Sequence, residues 1–456
     1  MFSFTRLHLL QTALARFAEA GYGETTMADV AEALDLAHAG DLATRIQQAI
    51  DGVLVNQAAN GGFGLWGAYS GDPWLDAYVT DFLSRARAEG YVVPDLAFQS
   101  ALDALRNHVA TAPDFEEGGE SIAYSLMVLA REGTAAIGDL RYYADVKADA
   151  FATPLALGQL GAALAMYGDQ PRADAMFRQG YELLITQSIV SERTGWRSDF
   201  GTRRRDATAL LTLAATAGSE AIPLDALAAA LPAPSTNIST QDAVWSLLAA
   251  DALIDMDGLS SLTLNGADVN GPLIEVLEAG DPTTRVLTNT GDRPETLTLT
   301  RYGQAEGETE AGGNGYSITR SYMTLDGLPA DPSEVTVGTR LVVVLHVLGF
   351  TDRTARLMVN DPLPAGFEID NPNLLRVGDI GALSDLDVTD FTDHTEFRQD
   401  RFLAAVTHTR GDLMRLAYIV RAVTPGSFHH PAASVEDMYR PAFRAQTPSG
   451  HVVITE

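Results

Sequence analysis

Cysteine is absent from the 456 residues, and lysine occurs once, as Lys147. Without cysteine there can be no disulfide, thiolate metal ligand, thiol nucleophile or thioester. The compartment stays open, because a cysteine-free chain suits cytosol and periplasm equally. Basic charge is also scarce: 31 Lys and Arg stand against 60 Asp and Glu, a formal net charge of −29. Nucleic acid and anionic membrane surfaces draw protein affinity from clustered Lys and Arg, so both are excluded as partners. Long apolar runs are missing too. Nothing approaches the ~18 apolar residues of a membrane span, and the longest candidate, Leu341 to Phe350, is strand-like and broken by His346. The amphipathic stretch Leu7 to Ala20 contains His8, Gln11 and Arg16. That is too polar for a signal-peptide core, so no export address is expected in this chain.

What is present suits packed cores. Hydrophobic residues make up 46%, and at ~100–200 residues per domain the length predicts about two to four domains. Up to about Asp255 the apolar residues recur at helical spacing, as in Leu75, Val79, Phe82, Leu83 and Ala86. Asp72-Pro73, Val93-Pro94 and Thr153-Pro154 place proline at helix starts, and Thr26-Met-Ala-Asp29 and Ser239-Thr-Gln-Asp242 read as capping boxes. About a dozen helices are expected, near 5–20, 26–36, 41–58, 73–90, 94–111, 119–132, 138–147, 153–167, 171–186, 204–217, 222–231 and 239–255. Short connections make them antiparallel hairpins. Two glycine-rich turns with aromatics echo each other, Asn60-Gly-Gly-Phe-Gly-Leu-Trp66-Gly and Thr194-Gly-Trp196-Arg-Ser-Asp-Phe-Gly201. The expectation is an α/α toroid over 1–255, with Trp66, Trp74, Trp196 and Trp245 as wedges between helix pairs.

Beyond Asp255 the period becomes two. Glu295 to Tyr302, Tyr316 to Leu325, Arg340 to Leu348, Ala355 to Val359, Leu413 to Val423 and His451 to Thr455 are strand runs separated by Gly, Pro, Asn and Asp. They predict antiparallel β-sandwich, so the fold class is multidomain α plus β. Gln304 to Gly315 has three Glu, four Gly and no aliphatic residue larger than Ala, and reads as a flexible linker over 304–315. Residues 256–303 are too few for an independent sandwich, and 316–456 suffice for one.

Chemistry-bearing motifs are sparse. A helical toroid with a β-sandwich suggests a glycoside hydrolase or polysaccharide lyase, which needs paired carboxylates in a cleft. Asp114-Phe-Glu-Glu117 and Asp76 with Asp81 read instead as solvated charges. His8, His38 and His108 are too widely separated for a zinc site, and no His-Glu-x-x-His, Gly-x-Ser-x-Gly, EF-hand or P-loop pattern occurs. His429-His430 lacks a third ligand, and Asp393-His394-Thr-Glu396 is no stronger. Arg203-Arg204-Arg205, followed by Asp206, reads as neutralising an acidic surface. No cofactor and no metal is expected.

Several longer phrases are more specific. Asn60-Gly-Gly-Phe-Gly-Leu-Trp-Gly67, Trp74-Leu-Asp-Ala-Tyr-Val-Thr-Asp-Phe-Leu83 and Ser239-Thr-Gln-Asp-Ala-Val-Trp-Ser-Leu-Leu248 resemble the thioester domain of bacterial α2-macroglobulins. Asp361-Pro-Leu-Pro-Ala-Gly-Phe-Glu-Ile-Asp-Asn-Pro-Asn373 and Phe428-His-His-Pro-Ala-Ala-Ser-Val-Glu-Asp-Met-Tyr-Arg-Pro441 resemble that family's last macroglobulin-type domain. The resemblance covers essentially the whole chain. It implies a large periplasmic, lipid-anchored protease trap in which a CUB-type sandwich is interrupted by the helical thioester domain. Residues 256–303 would then match only the second half of the CUB-type domain, leaving open sheet edges.

The resemblance departs at the chemical centre. The family motif Tyr-Gly-Cys-x-Glu-Gln-Thr-Thr corresponds here to Tyr22, Gly23, Glu24, Thr25 and Thr26. Cys and Gln are gone, so the expected module is a non-covalent one and not an enzyme, the alternative being a carbohydrate-active toroid enzyme. Implied partners are proteases and the upstream macroglobulin domains; some family members also have a periplasmic peptidoglycan synthase as partner.

Overall fold

The computed structural model describes residues 42–69, 71–186, 197–229, 231, 238–254, 262–269, 284–291, 307–350, 354–370, 392–408 and 413–456. They fall into two compact units. One holds the described residues from 42 to 231 and from 240 to 291; the other holds 238–239 and those from 307 onward. The helices expected near 5–20 and 26–36, the strand run Glu295 to Tyr302, and Tyr22, Gly23, Glu24, Thr25 and Thr26 lie outside the described residues.

Among the described residues the first unit contains ten helices: α1 (Leu42–Leu54), α2 (Pro73–Ala88), α3 (Asp95–Thr111), α4 (Glu120–Arg131), α5 (Ile137–Val146), α6 (Pro154–Met166), α7 (Gln170–Thr186), α8 (Arg203–Thr216), α9 (Leu224–Ala229) and α10 (Thr240–Ile254). Each matches a helix anticipated from the apolar spacing to within a few residues. Three starts, those of α2, α6 and α8, are set by side-chain caps. The Asp72 carboxylate accepts from the N–H groups of Trp74 and Leu75, Thr153 Oγ1 from Ala156, and Thr202 Oγ1 from Arg205. Stops recur with equal regularity. Gly90, Gly133, Gly168 and Gly218, two residues after α2, α4, α6 and α8, all have positive φ. The following N–H then reaches back, Tyr91 to Ala86 O, Thr134 to Leu129 O, Asp169 to Leu164 O and Ser219 to Ala214 O. This is the Schellman closure, and glycine supplies the left-handed residue it requires.

The helices form two rows. α2, α4, α6, α8 and α10 pack successively against one another, with α3, α5, α7 and α9 against their other side. The even row is the interior. Nine of the 12 residues of α4 and 11 of the 13 in α6 are buried, so α6, Pro-Leu-Ala-Leu-Gly-Gln-Leu-Gly-Ala-Ala-Leu-Ala-Met, needs no polar face. Helices of the second row bury one stripe, as in Phe98, Ala101, Leu102 and Leu105 of α3. A small antiparallel sheet of the same unit, order β2-β1-β3, comprises β1 (Leu262–Leu264), β2 (Ala267–Asp268) and β3 (Leu287–Asn289).

The second unit is a β-sandwich with a third, smaller sheet. Its strands are β4 (Gly312–Asn314), β5 (Tyr316–Met323), β6 (Pro329–Ala330), β7 (Glu334–Thr336), β8 (Arg340–Gly349), β9 (Ala355–Pro362), β10 (Phe367–Ile369), β11 (His394–Phe397), β12 (Arg401–His408), β13 (Leu413–Ala422), β14 (Gly426–His430), β15 (Ser434–Asp437), β16 (Arg444–Gln446) and β17 (Gly450–Thr455). The orders are β10-β13-β8-β5-β6, β11-β12-β9-β15-β16-β4 and β14-β17-β7. Pairing is antiparallel except between β17 and β7. Leu341, Val343, Leu345 and Val347 of β8 meet Leu357, Val359, Phe402, Val406, Leu416 and Tyr418 in the core. Val342 and Val344 are also fully buried, on the opposite face of the same strand, with Ile419. That explains why the longest apolar candidate of the sequence runs without a polar residue from Leu341 to Leu345 before His346 interrupts it.

The stretch expected as a linker is tied down over its second half. Gly312–Asn314 is the edge strand β4 on β16. Thr309 exchanges hydrogen bonds with Ser449, its N–H donating to Ser449 Oγ (2.7 Å) and its carbonyl accepting from Ser449 N (2.9 Å). Backbone pairing, which needs no large side chain, holds a segment whose composition reads as loop.

Replacing Leu160, fully buried in α6, by Ala is expected to lower the unfolding free energy by about 2–5 kcal/mol. Leu96→Ala, at a side chain 82% exposed, should stay within about 0.5 kcal/mol. Urea denaturation of the two variants measures the contrast.

Candidate functional site

Successive hairpins make the even-row helices parallel, so their N-termini gather at one end of the helical unit. The first glycine-rich turn and residues 197–201 of the second lie there. In the first, a Cβ on Gly61 (φ +90) would sit 2.0 Å from Ser100 O, and one on Gly64 would sit 2.1 Å from Gly67 O. Only glycine lets the chain turn that tightly. The turn buries Phe63, whose N–H donates to the Asp76 carboxylate at 2.6 Å. Trp74, at the start of α2, stacks on Tyr78 (5.3 Å between centroids) and meets Tyr124 of α4 and Phe200 of the second turn edge-on (5.6 Å each). Trp74 and Trp245 are buried packing residues, and Trp196 lies outside the described residues.

The second turn is bound by charge. Arg205, in the first turn of α8, has no exposed surface. Its Nη2 lies 2.5 Å from Asp199 Oδ2 and 2.7 Å from Asp206 Oδ1. Its Nη1 donates to Asp199 O and to Gln241 Oε1 of α10, both at 3.0 Å. Arg197 completes the group, 2.7 Å from Asp199 and 2.7 Å from Asp206. Two guanidiniums and two carboxylates balance, which is what allows charges this deep. Burial pushes the Asp199 carboxyl up, and the Arg205 and Arg197 guanidiniums outweigh it, holding the group well below the usual carboxylate range. Gly201 leaves room for the network: a Cβ there would lie 1.9 Å from Arg205 Nη2. Thr202 connects it to α10 through its hydroxyl, which donates to Asp242. Glu120, at the start of α4, is held above its usual range by burial, and the Asp199 charge acts in the same direction.

These positions correct three expectations. The run Arg203 to Arg205 is not only a surface neutraliser, because Arg205, like Asp206, has no exposed surface. Asp76 and Asp81 are not solvated, being 8% and 5% exposed. Asp81 accepts from Tyr124 Oη (2.9 Å), Arg85 Nε (3.0 Å) and Arg131. Solvation does describe Asp114, an exposed partner of Lys147 at 2.5 Å. A glycosidase needs one protonated and one ionised carboxyl facing a substrate. Here Asp199 and Asp206 are each engaged by the guanidiniums of Arg197 and Arg205, so they hold a turn in place.

In the β-sandwich the described parts of the two quoted phrases, 361–370 and 428–441, also hold buried carboxylates. Asp361 is paired to Arg320 Nη1 (2.5 Å) and accepts from Tyr418 Oη (2.7 Å). Arg320 also donates to Pro431 O (2.9 Å). Asp437 accepts from the N–H groups of Tyr439 and Arg440 (3.1 Å each) and pairs with the Arg440 side chain (2.7 Å). The neighbours His429 and His430 point opposite ways, as strand alternation demands. His430 is buried with Tyr322 Oη 2.8 Å from its Nε2. Burial, then the Arg320 charge, pushes it down to about 3. His394 lies 3.3 Å from Glu396, which also pairs with Arg398.

Comparisons with known proteins agree with this architecture. Residues 315–442 match the family described as the bacterial alpha-2-macroglobulin MG10 domain. Over 425 residues, 87% of the chain, it is 30% identical to the alpha-2-macroglobulin of Escherichia coli strain K12, and over 88% of the chain 28% identical to that of Xylella fastidiosa strain Temecula1. The chain spans about a quarter of the length of these relatives, 25% and 26%. Among solved structures, Salmonella alpha-2-macroglobulin reacted with methylamine superposes with a TM-score of 0.78 at 28% identity, over 100% of this chain and 30% of that one. The native Escherichia coli protein from domain MG7 to the C-terminus gives 0.72 at 27% identity, over 98% of this chain and 73% of that one.

Arg205→Met leaves two buried carboxylates to Arg197 alone and is expected to cost about 3–5 kcal/mol in denaturant unfolding. Asp199 has its folded pKa below the unfolded value, so its contribution is complete above pH ~4 and is lost as pH falls further; Asp199→Asn should flatten that acid limb. His430 acts in a different window. With a folded value of about 3 against ~6.5 unfolded, its contribution is complete above pH ~6.5 and is lost on acidification toward pH 3. The slope is at most ~1.4 kcal/mol per pH unit, and stability profiles of His430→Asn should lack it.

Proposed function

Because the chain belongs to the bacterial α2-macroglobulin family and corresponds to the C-terminal part of its members, we propose that it is the C-terminal module of a protease trap that works without a thioester. The observation that carries this reading is the similarity along 425 residues combined with a cysteine count of zero. A thioester joins a Cys thiol to a Gln side chain. Where the family pattern has Cys and Gln, this chain has Tyr22-Gly23-Glu24-Thr25-Thr26. The Salmonella relative was reacted with the small amine methylamine; the reading gives this chain no comparable acyl group.

Residues 1–255 then act as the thioester-type helical domain, 256–303 as part of a CUB-type domain and 316–456 as the macroglobulin-type sandwich. The alternating rows of helices support an α/α toroid in the first of these. The module docks non-covalently with upstream macroglobulin domains or another envelope protein, in the periplasm, and it has no catalytic role. A peptidoglycan synthase is a candidate envelope partner. The glycosidase alternative is weakened because the two closest carboxylates of the second turn, Asp199 and Asp206, are both paired to arginines.

Incubation with a lysine-rich protease followed by denaturing electrophoresis tests the reading. Protease and chain should run separately at every time point. A band of summed mass that survives boiling in detergent would show covalent capture and overturn it.

A further inference from the structure

The last strand carries a ligand arrangement that the sequence hides. β14 and β17 pair antiparallel with His429 directly opposite His451. Their neighbours His430, Val452 and Ile454 are buried, whereas His429 and His451 are exposed on the other face. The two rings already touch, 5.8 Å between centroids at 76°. Glu308 joins them, its Oε1 3.6 Å from His451 Nδ1. The Glu308 backbone is held in reach because the next residue, Thr309, is hydrogen-bonded in both directions to Ser449, two residues before His451. Directly opposed residues on antiparallel strands have Cβ atoms ~4.5–5.5 Å apart. Two imidazole nitrogens bound to one metal at ~2.0–2.1 Å stand roughly 3.3 Å apart in a tetrahedral shell. Direct opposition therefore puts both rings within side-chain reach of one ion.

We propose that His429 and His451 chelate one divalent late-transition-metal ion, with Glu308 as third ligand and water completing the shell. Two imidazoles and one carboxylate select zinc, copper or nickel over magnesium or calcium. Among the described residues no three such side chains already converge on a metal position, so binding turns the rings together through side-chain rotation into open solvent, with no movement of the strands. The ion would cross-link the C-terminal strand to β14 and to the segment preceding β4, adding stability because the unfolded chain lacks the site.

Titration of the untagged chain with zinc chloride at pH 7.5, followed by calorimetry, tests this. One zinc per chain is expected, with binding weakened by about tenfold or more in His429→Ala and in His451→Ala, and to a smaller degree in Glu308→Gln. Zinc should raise the melting temperature of the parent chain but not that of His451→Ala; circular dichroism without metal confirms that both surface variants fold. No zinc uptake by the parent chain, or uptake unchanged in both histidine variants, would overturn the proposal.

Discussion

The helical unit depends on one electrostatic constraint, the enclosure of Arg205 between Asp199 and Asp206. A guanidinium with no exposed surface is tolerable only if opposite charge and hydrogen-bond acceptors surround it. Asp199 and Asp206, the Asp199 carbonyl and Gln241 supply them. The glycine-rich turn that delivers Asp199 therefore cannot move independently of α8 and α10. Through Phe200, which touches Trp74, the same turn reaches α2, and through Trp74 and Tyr124 it reaches α4. A single ionic knot thus ties together the starts of α2, α4, α8 and α10.

Much of this architecture was legible in the chain because it is written in local rules. Proline or a polar cap announces the starts of α2, α6 and α8, glycine two residues past the end closes α2, α4, α6 and α8, and all ten helices in the described residues were anticipated. The long strands β5, β8, β9, β13 and β17 were equally plain, since Val, Leu and Tyr alternate or run on. Short strands escaped. β4 is Gly-Gly-Asn, and β15 and β16 have three or four residues each, so only their partners define them. β12, Arg-Phe-Leu-Ala-Ala-Val-Thr-His, carries an inward Phe402, Ala404 and Val406, but its alanines dilute the period.

The candidate site was less legible, for a physical reason. Exposure, not identity, decides whether a charge is solvent-facing or structural, and a linear sequence carries no exposure. Asp76, Asp81 and Arg205 look like surface charges because charged residues usually are. One signal was available: Arg197, Asp199, Arg205 and Asp206 are two of each sign within ten positions, wrapped around Gly201. The β-sandwich repeats the lesson with Arg320 and Asp361, 41 residues apart and joined only by the fold. Its paired histidines do so too. Adjacent His429 and His430 diverge, and it is His451, across the strand pair, that faces His429.

Functionally the weight falls on an atom that is missing. The chain has no thiol, and its one lysine, Lys147, is held by Asp114 and the Phe115 carbonyl. The most direct test of the central claim is intact-mass spectrometry of the chain after exposure to isotopically labelled methylamine under native conditions. An unchanged mass is the result expected if the proposed thioester-less reading is correct. Stoichiometric gain of one methylamine would contradict the account.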